Sequence, residues 1–319
     1  MNSDIITIDM NLQQLETFNW IAKLRSFGLA ARRLHTTQST VSMRIAELEK
    51  EVGAPLLDRS RRSVKLTPKG RELMPYAEDV VRLLTDIRHF IVGAGTISGT
   101  IRIGVSELVG LTWLASLVEA IASRLPHVDV ELQVGLSGSM LKRLRDGDLD
   151  LLLMPTDGMP IVGMRMEPLG AVRFSFVAGP HFPSPDRTHT PESLVAWPLI
   201  CQPSSSLLHG MIEAWYENGG VKLDKIIDSG SMETSARLAT ANLGISYLPL
   251  AYYEPQFASK DLIPVRVRPL MPPVPFFAVL PRTRTSPLIE AVVQMAREYS
   301  TFSKRIGKGK VRLAPTPAR

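Results

Sequence analysis

Short polar side chains cluster at the start of a predicted helix. Val41, Ile45, Leu48 and Val52 recur at helical spacing and define one apolar face. The first turn of this helix carries small hydrogen-bonding residues and one thioether: Thr37, Gln38, Ser39, Ser42 and Met43. Such hydroxyl and amide groups can bind base edges or phosphate oxygens of nucleic acid. The sequence therefore predicts a polar contact surface at the amino-terminal end of this helix.

A shorter helix is predicted directly before it. Ser26 can act as its N-cap, and four residues form an apolar face at helical spacing: Phe27, Ala30, Ala31 and Leu34. The two alanines allow the second helix to approach closely. Two helices joined by a turn of three or four residues, the second with a polar amino-terminal end, are typical of a helix-turn-helix. An ordinary helical hairpin in an α-helical core is the alternative.

A basic loop follows the helix pair. Apolar segments at 56–57 and 64–66 lie on either side of it, which predicts a β-hairpin, or wing. Its basic side chains could neutralise phosphates or enter a minor groove: Arg59, Arg61, Arg62 and Lys65. A solvated loop with spare charge is the alternative.

A long helix is predicted beyond the wing. Thr67 and Pro68 form a helix start, with proline at the first helical position. Apolar residues then alternate at spacings of four and three, the heptad pattern of a coiled coil: Leu73, Ala77, Val80, Leu84, Ile87 and Ile91. We interpret them as a dimerisation seam, although the same pattern would suit a helix packed on its own domain. Pro75 predicts a kink or a later helix start.

Composition restricts the class of protein. The chain has 319 residues, 45% of them hydrophobic and 21% charged, and a net charge of +6. Basic residues are concentrated at 32–71, with ten Lys/Arg against four Asp/Glu, which suggests a polyanionic partner for that segment. Cys201 is the only cysteine, so no intrachain disulfide can form. Without a signal-peptide pattern or an apolar run of about 18 residues, we expect a cytoplasmic protein with no membrane contact.

The second half of the chain alternates strand and helix patterns. Residues 101–105 are rich in β-formers, residues 128–134 alternate between apolar and polar side chains, and residues 149–154 form a buried-strand run. Helical patterns separate these segments. This order predicts a parallel sheet of the doubly wound kind. Pro168–Ala171 and Pro264–Pro275 are the two places where the chain could cross between lobes.

Polar residues follow the predicted strands. Ligands of such sheets bind at the carboxyl ends of strands, near helix amino termini, and two serine-rich turns farther along the chain suit the same cleft. The predicted ligand-binding residues are Ser106, Glu107, Leu136, Ser137, Ser139, Ser204, Ser205 and Ser231. Each serine could instead be a helix cap.

The amino-terminal residues resemble a known family. The pattern is Ala30-Ala31-x-x-Leu34-x-x-x-Gln38-x-x-Val41-Ser42-x-x-Ile45-x-x-Leu48-Glu49-x-x-Val52-Gly53, then Leu56-Leu57-x-Arg59-x-x-Arg62 and Leu66-Thr67-x-x-Gly70. It resembles the signature of the LysR-type transcriptional regulators. Two residues depart from the family pattern: Ser39 replaces a frequent proline, and Met43 stands where a basic or amide side chain is frequent. Methionine cannot read a purine edge by hydrogen bonding, but it can touch a thymine methyl group.

The resemblance implies an architecture. It comprises an all-α winged helix-turn-helix head at 11–67, a linker helix at 68–93 and an α/β two-lobed effector domain at 94–301, similar to periplasmic binding proteins. The lobes would be 100–168 with 270–301, and 169–269. The ends, 1–10 and 302–319, are predicted to be disordered.

The resemblance also implies a function, that of a ligand-responsive transcriptional regulator. Homodimers or homotetramers would bind palindromic promoter DNA and contact the transcription machinery. Gln38, Ser39, Ser42 and Met43 would lie on the recognition helix, with Arg62 in the wing. A small effector of unknown identity would occupy the cleft, with no other cofactor and no metal.

Enzyme readings fit the residues less well. Gly135–Ser139 resembles a nucleophile elbow but has serine in place of the last glycine. Asp146, Asp148 and Asp150 have the spacing of a calcium loop, but leucine occupies its glycine site. Cys201 has no basic neighbour in sequence and is interpreted as a buried structural thiol, and the six histidines show no metal-ligand spacing. We therefore expect no enzymatic activity. The alternative is a small-molecule binding protein or enzyme whose helical head serves assembly only.

Overall fold

A computed structural model of the chain describes residues 10–58, 64–92 and 97–303. These residues belong to two compact units that divide between Thr96 and Ile97. Each unit has a hydrophobic core of its own. None of the described helices combines the length and the apolar character that a membrane crossing needs.

Three helices and a small hairpin form the amino-terminal head: α1 (Leu12–Leu24), α2 (Phe27–Arg33), α3 (Gln38–Val52), β1 (Leu57–Asp58) and β2 (Lys65–Leu66). The predicted N-cap of α2 is confirmed, because Ser26 Oγ accepts a hydrogen bond from the Leu29 N–H at 3.3 Å. The predicted wing is also confirmed, with β1 and β2 paired antiparallel. Its tip, which carries Arg59, Arg61 and Arg62, lies outside the described residues.

The long helix α4 spans Pro68–Val92. It begins where the sequence predicts, since Thr67 Oγ1 accepts a hydrogen bond from the Gly70 N–H at 3.0 Å. The helix continues through Pro75, so the predicted later start is wrong.

The predicted dimerisation seam is partly occupied within the chain. Ala77 is fully buried, and Leu73 and Val80 pack against the core of the head, where α4 runs along α1. The interpretation of Ala77 as an interchain contact is therefore wrong, because its surface is already covered. Leu73 and Val80 are only half-buried, and their part in the seam stays a prediction. Leu84 is half-buried, and the side chains of Ile87 and Ile91 lie outside the described part of the chain.

Gly70 in the first turn of α4 permits a close backbone approach. A β-carbon at this position would overlap the carbonyl oxygen of Leu56 and lie 3.2 Å from a methyl carbon of Leu66. The nearest atom belongs to the main chain, which cannot move aside as easily as the end of a flexible side chain. The glycine in the sequence pattern is therefore required by the contact between α4 and the segment before β1.

We predict that Gly70→Ala destabilises the head by about 1–3 kcal/mol, the usual cost of inserting a methyl group into a packed site. Hydrogen–deuterium exchange within α1, α2 and α3 should become faster. Gly28→Ala is the control, because a β-carbon there would lie 3.8 Å from its nearest neighbour, the Gln38 side-chain oxygen. Equal exchange in the two variants would contradict the prediction.

Nine strands and helices form the first half of the second unit: β3 (Ser98–Val105), α5 (Glu107–Leu111), α6 (Leu114–Arg124), β4 (His127–Val134), α7 (Ser137–Asp146), β5 (Leu151–Pro155), β6 (Met164–Val172), β7 (Phe174–Ala178) and α8 (Pro191–Leu194). The remaining elements are β8 (Leu199–Cys201), α9 (Leu207–Asn218), β9 (Ile226–Asp228), α10 (Met232–Thr240), β10 (Ile245–Pro249), α11 (Glu254–Ala258), β11 (Ile263–Pro264), β12 (Val274–Pro281) and α12 (Pro287–Tyr299). The predicted strands at 101–105, 128–134 and 149–154 are confirmed as β3, β4 and β5.

These strands form two five-stranded sheets, one in each lobe. The first sheet has the order β4-β3-β5-β12-β6 and the second β11-β7-β10-β8-β9. The predicted parallel pairing holds for β3 with β4 and β5. It fails for β12, which runs antiparallel to β5 and β6, because the chain re-enters the first lobe from the second in the reverse direction.

The chain crosses between the lobes at Arg173. Strand β6 pairs with β12 up to Val172, and Phe174 already pairs in the second sheet. The predicted crossing at 168–171 is therefore wrong, because those residues are still needed in the first sheet. The return crossing lies between Pro264 and Val274, inside the predicted segment.

The ordered part of the chain extends past residue 301. Phe302 is buried, with its ring 4.6 Å from that of Phe276 and 5.8 Å from that of Trp113. Ser303 bridges to Ala171. The predicted disorder from residue 302 is wrong for these two residues, because the Phe302 ring completes the core of the first lobe.

Candidate nucleic-acid interface and ligand cleft

The amino-terminal end of α3 brings the predicted polar residues together. Thr37 is its N-cap, with Oγ1 accepting from the Thr40 N–H at 3.2 Å and lying 2.8 Å from Ser39 Oγ. Gln38 and Ser42 are one helical turn apart, as are Ser39 and Met43. Gln38, Ser39 and Met43 are exposed, and Ser42 is half-buried. The free N–H groups of this turn add a partial positive charge that favours an anion.

Exposed basic side chains lie on the neighbouring elements of the head. Lys65 on β2 is exposed, as predicted for the wing. Arg32 and Arg33 are exposed at the end of α2, directly before the turn that leads into α3. The sequence analysis did not identify these two arginines as candidates, although their position directly before the predicted turn could have indicated them. Arg44 is engaged within the head, where it donates to Gln13 Oε1 at 2.7 Å.

A cavity of about 250 Å³ lies between the two lobes of the second unit. It opens at the carboxyl ends of β3 and β4, where the sequence places a ligand. The residues that line it come from both lobes: Ser106, Glu107, Leu108, Val134, Gly135, Leu136, Ser137, Pro155, Phe174, Gln202, Ser206, Leu208, Gly230, Met232 and Phe276.

Glu107 connects the lobes across this cleft. One carboxylate oxygen accepts a hydrogen bond from Ser231 Oγ and the other from the Met232 N–H, both at 2.7 Å. Ser231 is the N-cap of α10, so the carboxylate lies at the amino-terminal end of that helix, where negative charge is favoured. The chain's own carboxylate thus occupies the position in which an anionic ligand would be stabilised.

Five of the predicted ligand-binding residues contribute to the cleft. Four line the cavity, namely Ser106, Glu107, Leu136 and Ser137, and Ser231 bonds to Glu107. The prediction is wrong for Ser139, Ser204 and Ser205, which do not line it. Ser139 Oγ donates to the Leu136 carbonyl oxygen, and Ser204 and Ser205 are exposed.

The sequence analysis missed two polar residues that line the cleft, Gln202 and Ser206. Ser206 is the N-cap of α9, and its hydroxyl donates to Gln202 Oε1 at 2.5 Å. Ser206 directly precedes the apolar residues of a helix, which is an N-cap pattern. Gln202 directly follows β8, so the rule that pointed to Ser106 also points to it. Phe174 and Phe276 form the aromatic walls of the cleft. No sequence pattern distinguishes them from other apolar strand residues.

The cleft is poor in positive charge. Glu107 is the only charged side chain among the described residues that line it. Ser106 Oγ is buried and has no hydrogen-bond partner within the described part of the chain. A ligand in this cleft would therefore meet an acidic group, a free hydroxyl, an amide and apolar walls.

Cys201 is buried at the end of β8, as predicted. Burial raises the pKa of its thiol to about 11, and the carboxylates of Asp228 and Glu213 contribute to the increase. The thiol is therefore protonated at neutral pH, which disfavours oxidation chemistry. In space, however, a histidine lies nearby, since His209 Nδ1 is 3.5 Å from Sγ. The two residues are eight positions apart in sequence, so the sequence alone does not indicate this contact.

Comparisons with known proteins cover both units. The family model described as "Bacterial regulatory helix-turn-helix protein, lysR family" matches residues 12–71, and "LysR substrate binding domain" matches residues 94–301. The regulator CzcR of Bacillus subtilis is 25% identical over 240 residues, covering 75% of this chain and 80% of CzcR. IlvY of Escherichia coli is 27% identical over 251 residues, covering 75% and 82%.

Solved structures show the same fold. A full-length OxyR variant from Pseudomonas aeruginosa superposes with a TM-score of 0.73 at 19% identity, covering 94% of this chain and 98% of that chain. ArgP from Mycobacterium tuberculosis has a TM-score of 0.67 at 23% identity, covering 92% and 98%. At these identities the structures establish the architecture and leave the ligand open.

Proposed function

We propose that the amino-terminal turn of α3 is the surface with which this chain reads promoter DNA. The chain belongs to the LysR family of ligand-responsive, DNA-binding transcriptional regulators. The observation that supports this proposal is the exposed polar surface of that turn. A glutamine side chain such as that of Gln38 can form two hydrogen bonds to an adenine edge. The exposed Met43 suits a thymine methyl group. Thr37 and Ser39, beside the free N–H groups of the helix, suit phosphate oxygens.

We predict that Gln38→Ala and Lys65→Ala impair DNA binding in different ways. Gln38→Ala should cost about 1–3 kcal/mol on the cognate site and nothing on random DNA, since base contacts carry specificity. Lys65→Ala should weaken both and lower the salt slope by about one unit, since phosphate contacts release counterions. Fluorescence anisotropy on a duplex selected by the wild-type protein, with a scrambled duplex and two salt concentrations, measures both effects.

The two variants serve as controls for each other. Equal losses for Gln38→Ala on selected and scrambled DNA would remove this side chain from the base-reading surface. An unchanged salt slope for Lys65→Ala would remove the lysine from the phosphate contacts.

We further propose that α4 mediates dimerisation through a different face from that first predicted. Tyr76 and Leu83 are 70% and 59% exposed, and they lie seven residues apart, as positions on one side of a coiled-coil helix do. Their apolar surface is not covered by the described part of the chain, in contrast to that of Ala77. Dimers of this kind would present two heads to the half-sites of a palindrome.

Leu83→Asp should therefore give a monomer with unchanged helical circular dichroism, because a carboxylate cannot be buried unpaired in an apolar seam. Analytical ultracentrifugation reports the mass. Leu270→Asp is the matched control, since Leu270 is 84% exposed in the other unit and its replacement should leave the mass unchanged. A Leu83→Asp protein with the wild-type mass would show that this face of α4 is not the interface.

For the effector we propose a small neutral or amine-bearing molecule. The cavity of about 250 Å³ is slightly smaller than the range of about 300–1,000 Å³ for drug-sized ligands. An anion would meet Glu107, which already fills the amino-terminal end of α10. The free Ser106 hydroxyl and the Gln202 amide suit polar ligand groups. This proposal requires no cofactor other than the effector. It also includes that the protein acts in the cytoplasm, on promoter DNA and together with the transcription machinery.

Thermal unfolding of the full chain with matched acids, amides and amines tests the ligand class. We expect the unfolding temperature to rise with an amide or amine and not with the acid of the same carbon skeleton. Glu107→Gln should weaken amine binding, because it removes the negative charge. Glu131→Gln, a change at an exposed position of edge strand β4, is the control. Stabilisation of the wild-type protein by acids alone would overturn the proposed ligand class while leaving the DNA-binding proposal intact.

A further inference from the structure

Three side chains with metal-binding chemistry meet at the edge of the second sheet. Cys201 and Asp228 end the neighbouring parallel strands β8 and β9 and are partners in register, so their side chains leave the sheet on the same face. His209 lies in the first turn of α9. Its Nδ1 is 3.5 Å from the Cys201 Sγ. The ligand atoms of the three side chains all lie within 4.8 Å of one another.

We propose that Cys201, His209 and Asp228 form a binding site for a thiophilic divalent cation such as Zn²⁺. Thiolate, imidazole and carboxylate are its usual ligands, at about 2.0–2.3 Å and in tetrahedral geometry. Ligand atoms around such an ion are about 3.3–3.6 Å apart by that geometry. The Sγ–Nδ1 separation of 3.5 Å already matches.

The third ligand can reach the same point. Asp228 is exposed, so its side chain can rotate without disturbing a packed core. A movement of its carboxylate oxygen by roughly 1 Å closes the site. The fourth position is left for water or for Glu213, which is one helical turn beyond His209 on the same face of α9. Among the described residues, no other group of three such side chains has its ligand atoms this close.

Binding requires two exchanges. The cation displaces the thiol proton of Cys201, which is released to the solvent, and a sulfur–metal bond forms in its place. His209 Nδ1 donates to the Gln202 carbonyl oxygen at 2.8 Å. An ion bound at Nδ1 replaces that hydrogen bond, and the Nδ1 proton passes to the solvent while Nε2 takes one up, so the imidazole stays neutral. Gln202 also lines the cleft. The proposed cation site is therefore distinct from the effector cleft but adjoins it through this residue.

Cobalt titration of the full-length protein, first freed of metal with a chelator, tests the site. Co²⁺ bound to a thiolate absorbs in the near ultraviolet, and we expect one such ion per chain, displaced by Zn²⁺. Cys201→Ser should abolish this band. Asp228→Asn should weaken binding by at least about tenfold, since even residues that only orient metal ligands contribute about 10–100-fold.

Glu217→Gln is the matched control, because Glu217 is an exposed carboxylate on the same helix outside the trio, and it should bind cobalt as the wild type does. Circular dichroism verifies that each variant is folded. If Cys201→Ser does not fold, Asp228→Asn decides, since its side chain is exposed. The absence of a near-ultraviolet band in excess cobalt, or equal affinities of Asp228→Asn and Glu217→Gln, would overturn the proposal.

Discussion

The carboxylate of Glu107 at the amino-terminal end of α10 is the interaction on which the cleft depends. It joins an element of the first lobe to one of the second by two hydrogen bonds of 2.7 Å. Hydrogen bonds to charged groups contribute about 1.5–3 kcal/mol each when shielded from water, and less where the cleft is open. Because this carboxylate joins the two lobes, a ligand that competes for this helix end also changes how the lobes are held together at the cleft.

Much of the fold could be predicted because its determinants are local. Ser26 and Thr67 cap helices that begin at the next residue, and a cap is a relation between residues three positions apart. The apolar spacing from Val41 to Val52 depends only on helical periodicity. The strands from Ser98 to Pro155 are legible for the same reason. The sequence therefore sufficed to bring the polar residues together at the start of α3, whereas their contacts with DNA stay a prediction.

The predictions that failed concern contacts between distant residues. The heptad pattern of α4 identifies an apolar face, but Ala77 is covered by the head of its own chain and not by a partner. Composition likewise cannot distinguish the buried Ser206 from the exposed Ser204 in one serine-rich turn. The return of β12 antiparallel to β5 depends on where the chain re-enters the first lobe, which no local pattern encodes.

The register of β8 and β9 explains why two sites can adjoin at one sheet edge. It places Cys201 beside Asp228, and the short turn into α9 then brings His209 back over the same strands. Gln202 lies between the two sites, with its carbonyl oxygen bound to His209 and its side chain bound to Ser206 in the cleft. On the proposed assignment, a cation that draws His209 away from this carbonyl changes the position of a cleft residue. Since coupling between two sites is reciprocal, an effector that fixes Gln202 must change the cation affinity by the same factor.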